Sequence, residues 1–198
     1  MKNNDDTNES ISNNYKLNGE NKNLAKYNIF FIGFMGAGKT TVSSYLSEML
    51  NRKYIEIDQY IEQQKNITIP EIFEKYGETY FRDLETETLK MLNNVDNTII
   101  SCGGGIVLRQ ENIDLMKKQG KIILLTATPQ TIYDRVKLSN ERPILNNNMN
   151  VEFISSLMEK RKEKYLSCAD FIIDTNDKTI EKVCEEIISN ISISIKNR

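Results

Sequence analysis

The stretch that decides the fold is Tyr27-Asn-Ile-Phe-Phe-Ile32, followed at once by Gly33-Phe-Met-Gly36-Ala-Gly38-Lys39-Thr40. The first run is apolar and rich in β-formers, which predicts a short strand. The glycine-rich run satisfies G-x-x-x-x-G-K-[ST], and Thr41–Leu50 behind it has the pattern of a helix. Strand, loop and helix in this order predict a loop whose backbone N–H groups face an anion at a helix N-terminus.

This loop predicts a site for the phosphates of a nucleotide. Gly36 and Gly38 allow the backbone to bend, Lys39 should reach the β- and γ-phosphates, and the Thr40 hydroxyl should ligate Mg²⁺. The alternative is a glycine turn that only packs helix against strand. That alternative gives Lys39 no reason to stand at its position, so we favour the nucleotide site.

The rest of the chain continues the alternation of strands and helices. Further strands are predicted at Tyr54–Ile57, Thr98–Ser101, Lys121–Thr126 and Asp170–Asp174. Thr128 and Pro129 predict a capped start for a helix over Gln130–Lys137, and Gly120 predicts the end of a helix that includes Leu115–Gln119. We therefore expect an α/β fold of three layers, a P-loop kinase fold whose central parallel sheet of about five strands is flanked by helices.

The chain has 198 residues, which suits one domain, and we place it at residues 26–198. Residues 1–25 are polar and poor in apolar side chains, so we expect a disordered N-terminal tail. The segment Ser139–Asn150 is rich in turn formers, and we expect a mobile lid there.

Composition excludes several classes of function. The net charge is -2 and basic residues are interspersed with acidic ones, so neither nucleic acid nor a membrane surface is expected as a partner. The chain has no histidine, which excludes histidine bases and histidine-ligated zinc. Cys102, Cys168 and Cys184 lack Cys-x-x-Cys spacing, so we expect neither a disulfide framework nor a zinc site, and a cytoplasmic location.

Five further stretches carry the acceptor site and the lid. In chain order, they are Glu56-Ile-Asp58, Phe81-Arg82-Asp-Leu-Glu85, Cys102-Gly103-Gly104-Gly105, Asn140-Glu-Arg142-Pro143 and Arg161-Lys-Glu-Lys-Tyr165. Glu56 and Asp58 stand at alternate positions, so we expect both to point from the same side of an extended chain. Together with the phosphate loop, these motifs resemble the shikimate kinase family over about Tyr27 to Asn190.

The resemblance implies an ATP-dependent enzyme that transfers the γ-phosphoryl group to the 3-hydroxyl of shikimate, in the biosynthesis of aromatic amino acids. It implies ATP and shikimate as partners, Mg²⁺ as cofactor, and a monomer. Chemistry would be carried by Lys39, Asp58 and Arg142. ATP would be bound by Gly36, Ala37, Gly38, Lys39, Thr40, Thr41, Arg135 and Arg142.

For the acceptor, the resemblance implies a second set of residues. Shikimate would be held by Asp58, Arg82, Gly103, Gly104, Gly105 and Arg161. Asp58 would orient the hydroxyl, and the two arginines would grip the carboxylate, for which planar guanidinium groups are better suited than ammonium groups. The metal would be held by Thr40 and, through water, by Glu56.

Two residues depart from the family pattern. The family usually has aspartate where this chain has Glu56, and threonine where it has Cys102. Cys102 could also be a reactive thiol, although a small buried residue at a strand end is the interpretation we favour. We expect Tyr165 to pack rather than react.

Two other functions remain open from the sequence alone. One is a P-loop kinase for a different small acceptor, such as gluconate or a nucleoside monophosphate. The other is a nucleotide-binding regulatory protein that has lost phosphoryl transfer.

Overall fold

A computed structural model describes residues 27–137 and 150–196. These residues form a parallel sheet of five strands: β1 (Asn28–Ile32), β2 (Lys53–Glu56), β3 (Thr98–Ser101), β4 (Gly120–Thr126) and β5 (Phe171–Asp174). The strand order is β2-β3-β1-β4-β5, and every neighbouring pair is parallel. The predicted α/β class and strand number are therefore confirmed.

Seven α-helices lie within the described residues. They are α1 (Lys39–Met49), α2 (Ile57–Lys65), α3 (Ile69–Met91), α4 (Gln110–Gln119), α5 (Pro129–Val136), α6 (Val151–Cys168) and α7 (Ile180–Lys196). Short 3₁₀ turns follow α3 at Leu92–Asn94 and precede α4 at Ile106–Leu108. None of the described helices has both the length and the apolar character needed to cross a bilayer.

The sheet is buried on both faces, as its apolar strands require. Successive side chains of a strand point to opposite faces, so Ile29 and Phe31 of β1 join one apolar cluster and Phe30 and Ile32 join the other. The first cluster packs against α1, α5 and α7, and the second against α2, α3 and α4. Helix α6 contributes side chains to both clusters, Ile154 to the first and Tyr165 and Cys168 to the second.

The start of α5 and the end of α4 lie where the sequence predicts them. Thr128 caps α5 by accepting a hydrogen bond from the Thr131 N–H, and Pro129 occupies the first turn. Gly120 follows the last residue of α4 and opens β4, where a Cβ would collide with the Asn28 carbonyl. Glycine is thus required at position 120 by the close approach of two parallel strands.

The end of β2 was predicted wrongly, while the other strand ends differ from the prediction by at most one residue. Ile57 begins α2 instead of ending β2, and Asp58 lies in the first turn of that helix. Glu56 and Asp58 therefore do not alternate along an extended chain. An acidic side chain in a first helical turn is favoured by the positive end of the helix dipole, and this local preference ends the strand earlier than its composition suggests.

Several predictions fall outside the described residues. They are the N-terminal tail at residues 1–25, Arg142, and the lid at 139–150 except for Asn150. Asn150 caps α6 by accepting a hydrogen bond from the Phe153 N–H.

Candidate active site

The phosphate loop joins β1 to α1 at the carboxyl edge of the sheet. Gly33, Gly36 and Gly38 all have positive φ, between 76° and 143°, a range that glycine adopts without strain. Lys39 is 8% exposed, and its Nζ donates to the carbonyls of Gly33 at 2.9 Å and Phe34 at 3.1 Å. The ammonium group is therefore held against the loop that should receive the phosphates.

Thr40 and Glu56 meet beside this loop. The Thr40 hydroxyl donates to Glu56 Oε1 at 2.7 Å, and the Tyr54 hydroxyl lies 3.4 Å from Glu56 Oε2. The extra methylene of glutamate thus brings its carboxylate to the same point as the Thr40 hydroxyl. The two oxygens that the sequence assigns to the metal lie together.

Arg82 lies on α3, and its guanidinium is almost fully enclosed by carboxylates of the same helix. Its Nη1 donates to Glu85 Oε2 at 2.7 Å, while Nε and Nη2 donate to Glu78 Oε1 at 3.2 and 2.9 Å. The Arg82 side chain is 9% exposed, the Glu85 side chain 0% and the Glu78 side chain 57%. The remaining Nη hydrogens are left for another acceptor, since a guanidinium has five N–H donors.

The triple-glycine loop after β3 fits around these charged groups because it has no side chains. A Cβ on Gly103 would lie 2.6 Å from Asp58 Oδ1 and 2.8 Å from Glu85 Oε1. A Cβ on Gly105 would overlap the guanidinium of Arg82. The loop therefore brings Asp58, Glu85 and Arg82 within a few ångströms of one another.

Gly104 connects the triple-glycine loop to α6 and to the phosphate loop. Its carbonyl accepts hydrogen bonds from the Tyr165 hydroxyl at 2.5 Å and from Arg161 Nη1 at 3.3 Å. Its Cα faces Gly33 and Met35, whose backbone atoms lie 3.7 Å from an ideal Cβ position. The acceptor side of the site is thereby packed directly against the phosphate loop.

These residues surround one cavity of about 570 Å³. Its lining includes Glu56, which is predicted for the metal, and all the residues predicted to bind the acceptor: Asp58, Arg82, Gly103, Gly104, Gly105 and Arg161. Met35 of the phosphate loop lines it as well. Two guanidinium groups, several carboxylates including that of Asp58, and a glycine loop therefore line one space that opens beside the phosphate loop.

A second, smaller cavity of about 200 Å³ lies on the other side of the phosphate loop. Ala37, Gly38, Thr41 and Arg135 line it together with Ile180. Arg135 is exposed, but its Nη1 donates to the Gly36 carbonyl at 3.2 Å. The structure thus places Arg135 at the phosphate loop, and its contact with the base of ATP stays a prediction.

Sequence reasoning missed Glu85 as a member of the site. Burial raises the pKa of Glu85 to about 7, against the opposing effect of the Arg82 charge and with a further increase from Asp58. The signal was present in the sequence, because Glu85 follows Arg82 by three residues and such residues share a helix face. A buried carboxyl group with a perturbed pKa beside a cavity is a feature of functional sites.

The two residues with ambiguous roles are both buried. Cys102 is 2% exposed, and burial raises the pKa of its thiol well above the ordinary value, which is the opposite of what a reactive cysteine needs. Tyr165 is 5% exposed, and burial raises its pKa to about 12. Tyr165 packs as expected, and its hydroxyl also holds the Gly104 carbonyl.

Comparison with known proteins shows similarity over the part of the chain that lines both cavities. The family model of shikimate kinase matches residues 35–192 of the chain. A shikimate kinase of Thermodesulfovibrio yellowstonii is 42% identical over 161 residues, covering 81% of this chain and 92% of the relative. One of Sulfurihydrogenibium sp. is 39% identical over 164 residues, covering 83% of this chain and 97% of the relative.

A solved structure gives the same result. The shikimate kinase of Acinetobacter baumannii in complex with shikimate superposes with a TM-score of 0.82 and 30% sequence identity. The match covers 90% of this chain and 98% of that one. The similarity therefore includes the phosphate loop, the triple-glycine loop and α6 alike.

Proposed function

Since the chain belongs to the shikimate kinase family and is an ATP-dependent kinase that acts on an alcohol group, we propose that it phosphorylates the 3-hydroxyl of shikimate. The products are shikimate 3-phosphate and ADP. The observation that carries the proposal is the cavity of about 570 Å³, in which Asp58, Arg82 and Arg161 face one space beside the phosphate loop.

The acceptor carboxylate binds between Arg82 and Arg161. Both guanidinium groups line the cavity, and both are fixed, Arg82 by its carboxylate partners and Arg161 by the Gly104 carbonyl. Planar donors of this kind match a carboxylate in geometry as well as in charge. The ring hydroxyls then lie against the glycine loop and Asp58.

Asp58 orients the 3-hydroxyl toward the phosphoryl donor. Phosphoryl transfer has a loose transition state, so positioning and charge stabilisation contribute more than complete removal of the proton before attack. Lys39 stabilises the charge that develops on the β- and γ-phosphates, and Gly36, Ala37, Gly38, Thr40 and Thr41 present the backbone of the loop. Arg135 contacts the base, and Arg142, outside the described residues, reaches the phosphates from the lid.

The site suits Mg²⁺ held by Thr40 and, through water, by Glu56. A hydroxyl and a carboxylate oxygen 2.7 Å apart are hard donors of the type that Mg²⁺ prefers. Among the described residues, no group of three or more His, Cys, Asp or Glu side chains could hold a metal ion. This fits an ion that takes most of its ligands from nucleotide phosphates and water. When bound, Mg²⁺ neutralises charge on the transferred group.

A cytoplasmic monomer completes the proposal. The three cysteines are free and buried, which suits a reducing compartment. Light scattering coupled to size exclusion would measure the mass of the particle in solution.

A substrate panel tests the acceptor. We expect release of ADP from Mg-ATP with shikimate, and none above background with gluconate or AMP, because only shikimate offers a carboxylate beside ring hydroxyls. Equal turnover of all three acceptors would show that the two guanidinium groups do not select the substrate.

A single substitution tests the carboxylate clamp. Arg161→Ala should raise the KM for shikimate by roughly 10- to 100-fold, the effect of losing a hydrogen bond between charged groups, with the KM for ATP little changed. Lys162→Ala is the matched control, since Lys162 is the next residue on α6 and its ammonium group donates to the exposed carboxylate of Glu159 on the same helix. An unchanged KM for shikimate in Arg161→Ala would remove this residue from the site.

A further inference from the structure

Thr175 follows the last strand, and its side chain lies between the phosphate loop and Arg135. It is 3% exposed. Its hydroxyl lies 3.0 Å from Arg135 Nη1, 3.2 Å from the Ala37 carbonyl and 3.0 Å from the Thr126 carbonyl. The sequence analysis gave this residue no role.

The hydrogen bonds of this hydroxyl can be assigned from its chemistry. Arginine only donates, so the Thr175 oxygen accepts from Arg135, and the single hydroxyl proton goes to a carbonyl. The Thr126 carbonyl already receives the Thr175 N–H at 2.9 Å. The Ala37 carbonyl is therefore the acceptor that gains most from the hydroxyl proton.

Holding the Ala37 carbonyl fixes the orientation of the next amide. The peptide bond between Ala37 and Gly38 is trans and planar, so its C=O and its N–H point in opposite directions. With the carbonyl turned toward Thr175, the Gly38 N–H points away from it. Gly38 has φ of 94°, a conformation that costs glycine little but that still needs contacts to select it.

The same threonine holds Arg135 from two sides. Arg135 Nη2 donates to the Thr175 carbonyl at 2.8 Å while Nη1 donates to the hydroxyl, so the guanidinium is bound by two acceptors of one residue. Nη1 also reaches the Gly36 carbonyl at 3.2 Å. One buried residue thus fixes an arginine beside the cavity of about 200 Å³ and a peptide plane of the phosphate loop.

We propose that Thr175 is a positioning residue for the nucleotide, which sets the Gly38 amide toward the phosphates and Arg135 toward the base. The inference rests on the proposed ATP site, and it extends that site to a residue that need not touch ATP. It assigns Thr175 to nucleotide binding and not to the acceptor.

Direct titration with Mg-ADP tests the inference by calorimetry. Thr175→Val removes the hydroxyl and keeps a similar shape, and we expect it to weaken ADP binding about tenfold, as for one lost hydrogen bond to a charged group. Thr175→Ser keeps the hydroxyl and should bind ADP within about twofold of wild type, with the KM for shikimate unchanged in both variants. Thr175→Ala, which adds no atom to the buried site, replaces the valine variant if that protein does not fold.

Thr88→Val is the control for losing a buried threonine hydroxyl. Thr88 is 3% exposed on α3, and its hydroxyl donates to the Leu84 carbonyl at 2.8 Å, away from the phosphate loop. We expect a loss of stability in this variant without a change in ADP affinity. Wild-type ADP affinity in the valine and alanine variants, or equal weakening in the serine variant, would overturn the inference.

The titration separates this inference from the proposed function, because ADP binding is measured without an acceptor. A wild-type protein that binds ADP but fails to phosphorylate shikimate would contradict the proposed acceptor only. Wild-type turnover combined with normal ADP binding by Thr175→Val would contradict only the role of Thr175.

Discussion

Gly105→Ala is expected to displace Arg82 from the proposed acceptor site. The added Cβ would occupy the volume of the Arg82 guanidinium. The loop has little freedom to withdraw, because the Gly104 carbonyl is bound by two side chains and the Gly105 carbonyl accepts the Leu108 N–H at 3.0 Å. Arg82 must therefore move, and its 2.7 Å contact with the fully buried Glu85 is lost.

The loss of stability comes from Glu85, which stays buried after its ion-pair partner Arg82 has moved away. Breaking a buried ion pair by removing one partner costs about 3–5 kcal/mol. Glu85 already has a pKa of about 7, so it can take up a proton when Arg82 moves away. We therefore expect the lower end at pH 7, about 3 kcal/mol, and a rise in the KM for shikimate of roughly 10- to 100-fold as the carboxylate clamp is lost.

Two measurements check this prediction. Urea unfolding at pH 7 gives the change in stability, and ADP release at varied shikimate and at varied ATP separates the two KM values. Gly104→Ala is the stability control, because its Cβ would lie no closer than 3.7 Å to its neighbours, so we expect a change within about 1 kcal/mol. Wild-type stability and wild-type shikimate KM in Gly105→Ala would refute the placement of Arg82 against this glycine.

Two further predictions concern stability. The pKa of Glu85 is raised from 4.5 to about 7 in the folded protein. Its contribution to stability is therefore fully present below pH 4.5 and is lost as the pH rises through 7. Between pH 5 and 8, the free energy of unfolding of wild type should fall by about 2–3 kcal/mol relative to that of Glu85→Gln, as measured by urea unfolding. Glu78→Gln controls for the loss of an Arg82 partner, and parallel curves for wild type and Glu85→Gln would contradict the raised pKa. Gly77→Ala should cost about 1–3 kcal/mol, because Gly77 interrupts α3 at φ 80° and ψ 170°, and unchanged unfolding would argue against this backbone conformation.

The sequence predicted the sheet and the phosphate loop because both depend on local patterns. Apolar runs bounded by turn residues identify buried parallel strands. The spacing from Gly33 to Thr40, between a strand and a helix, identifies a phosphate-binding loop in which a lysine is expected at position 39. The end of β2 was misplaced because composition alone does not weigh a strand against a helix start, and Ile57 suits either. Local preference at Asp58 decided the outcome.

Contacts between distant segments were harder to predict than elements. Glu85 belongs to the site because α3 lies against the loop after β3, and Thr175 is relevant because β5 ends beside the phosphate loop. The spacing of Glu85 from Arg82 indicates a shared helix face, but the contact of each residue with a distant loop depends on how the elements pack. Arg82 and Arg161 line one cavity, as the order of several motifs led us to expect, whereas their binding of a carboxylate stays a prediction. For Arg135, only its spacing from Arg142 supported the assignment.

The glycine loop also contacts both the phosphate loop and the proposed acceptor site. Phosphoryl transfer depends on placing the attacking oxygen in line with the donor, and an error of about 1 Å can cost roughly 100-fold in rate. In this chain, Gly104 packs against Gly33 on the donor side while its carbonyl binds Arg161 and Tyr165 on the acceptor side. A side chain at Gly103 or Gly105 would displace Asp58 or Arg82, so the absence of Cβ atoms lets one rigid backbone contact both halves of the reaction. In the proposed complex, the distance between the two substrates is therefore set by backbone packing, which side-chain motion alters little.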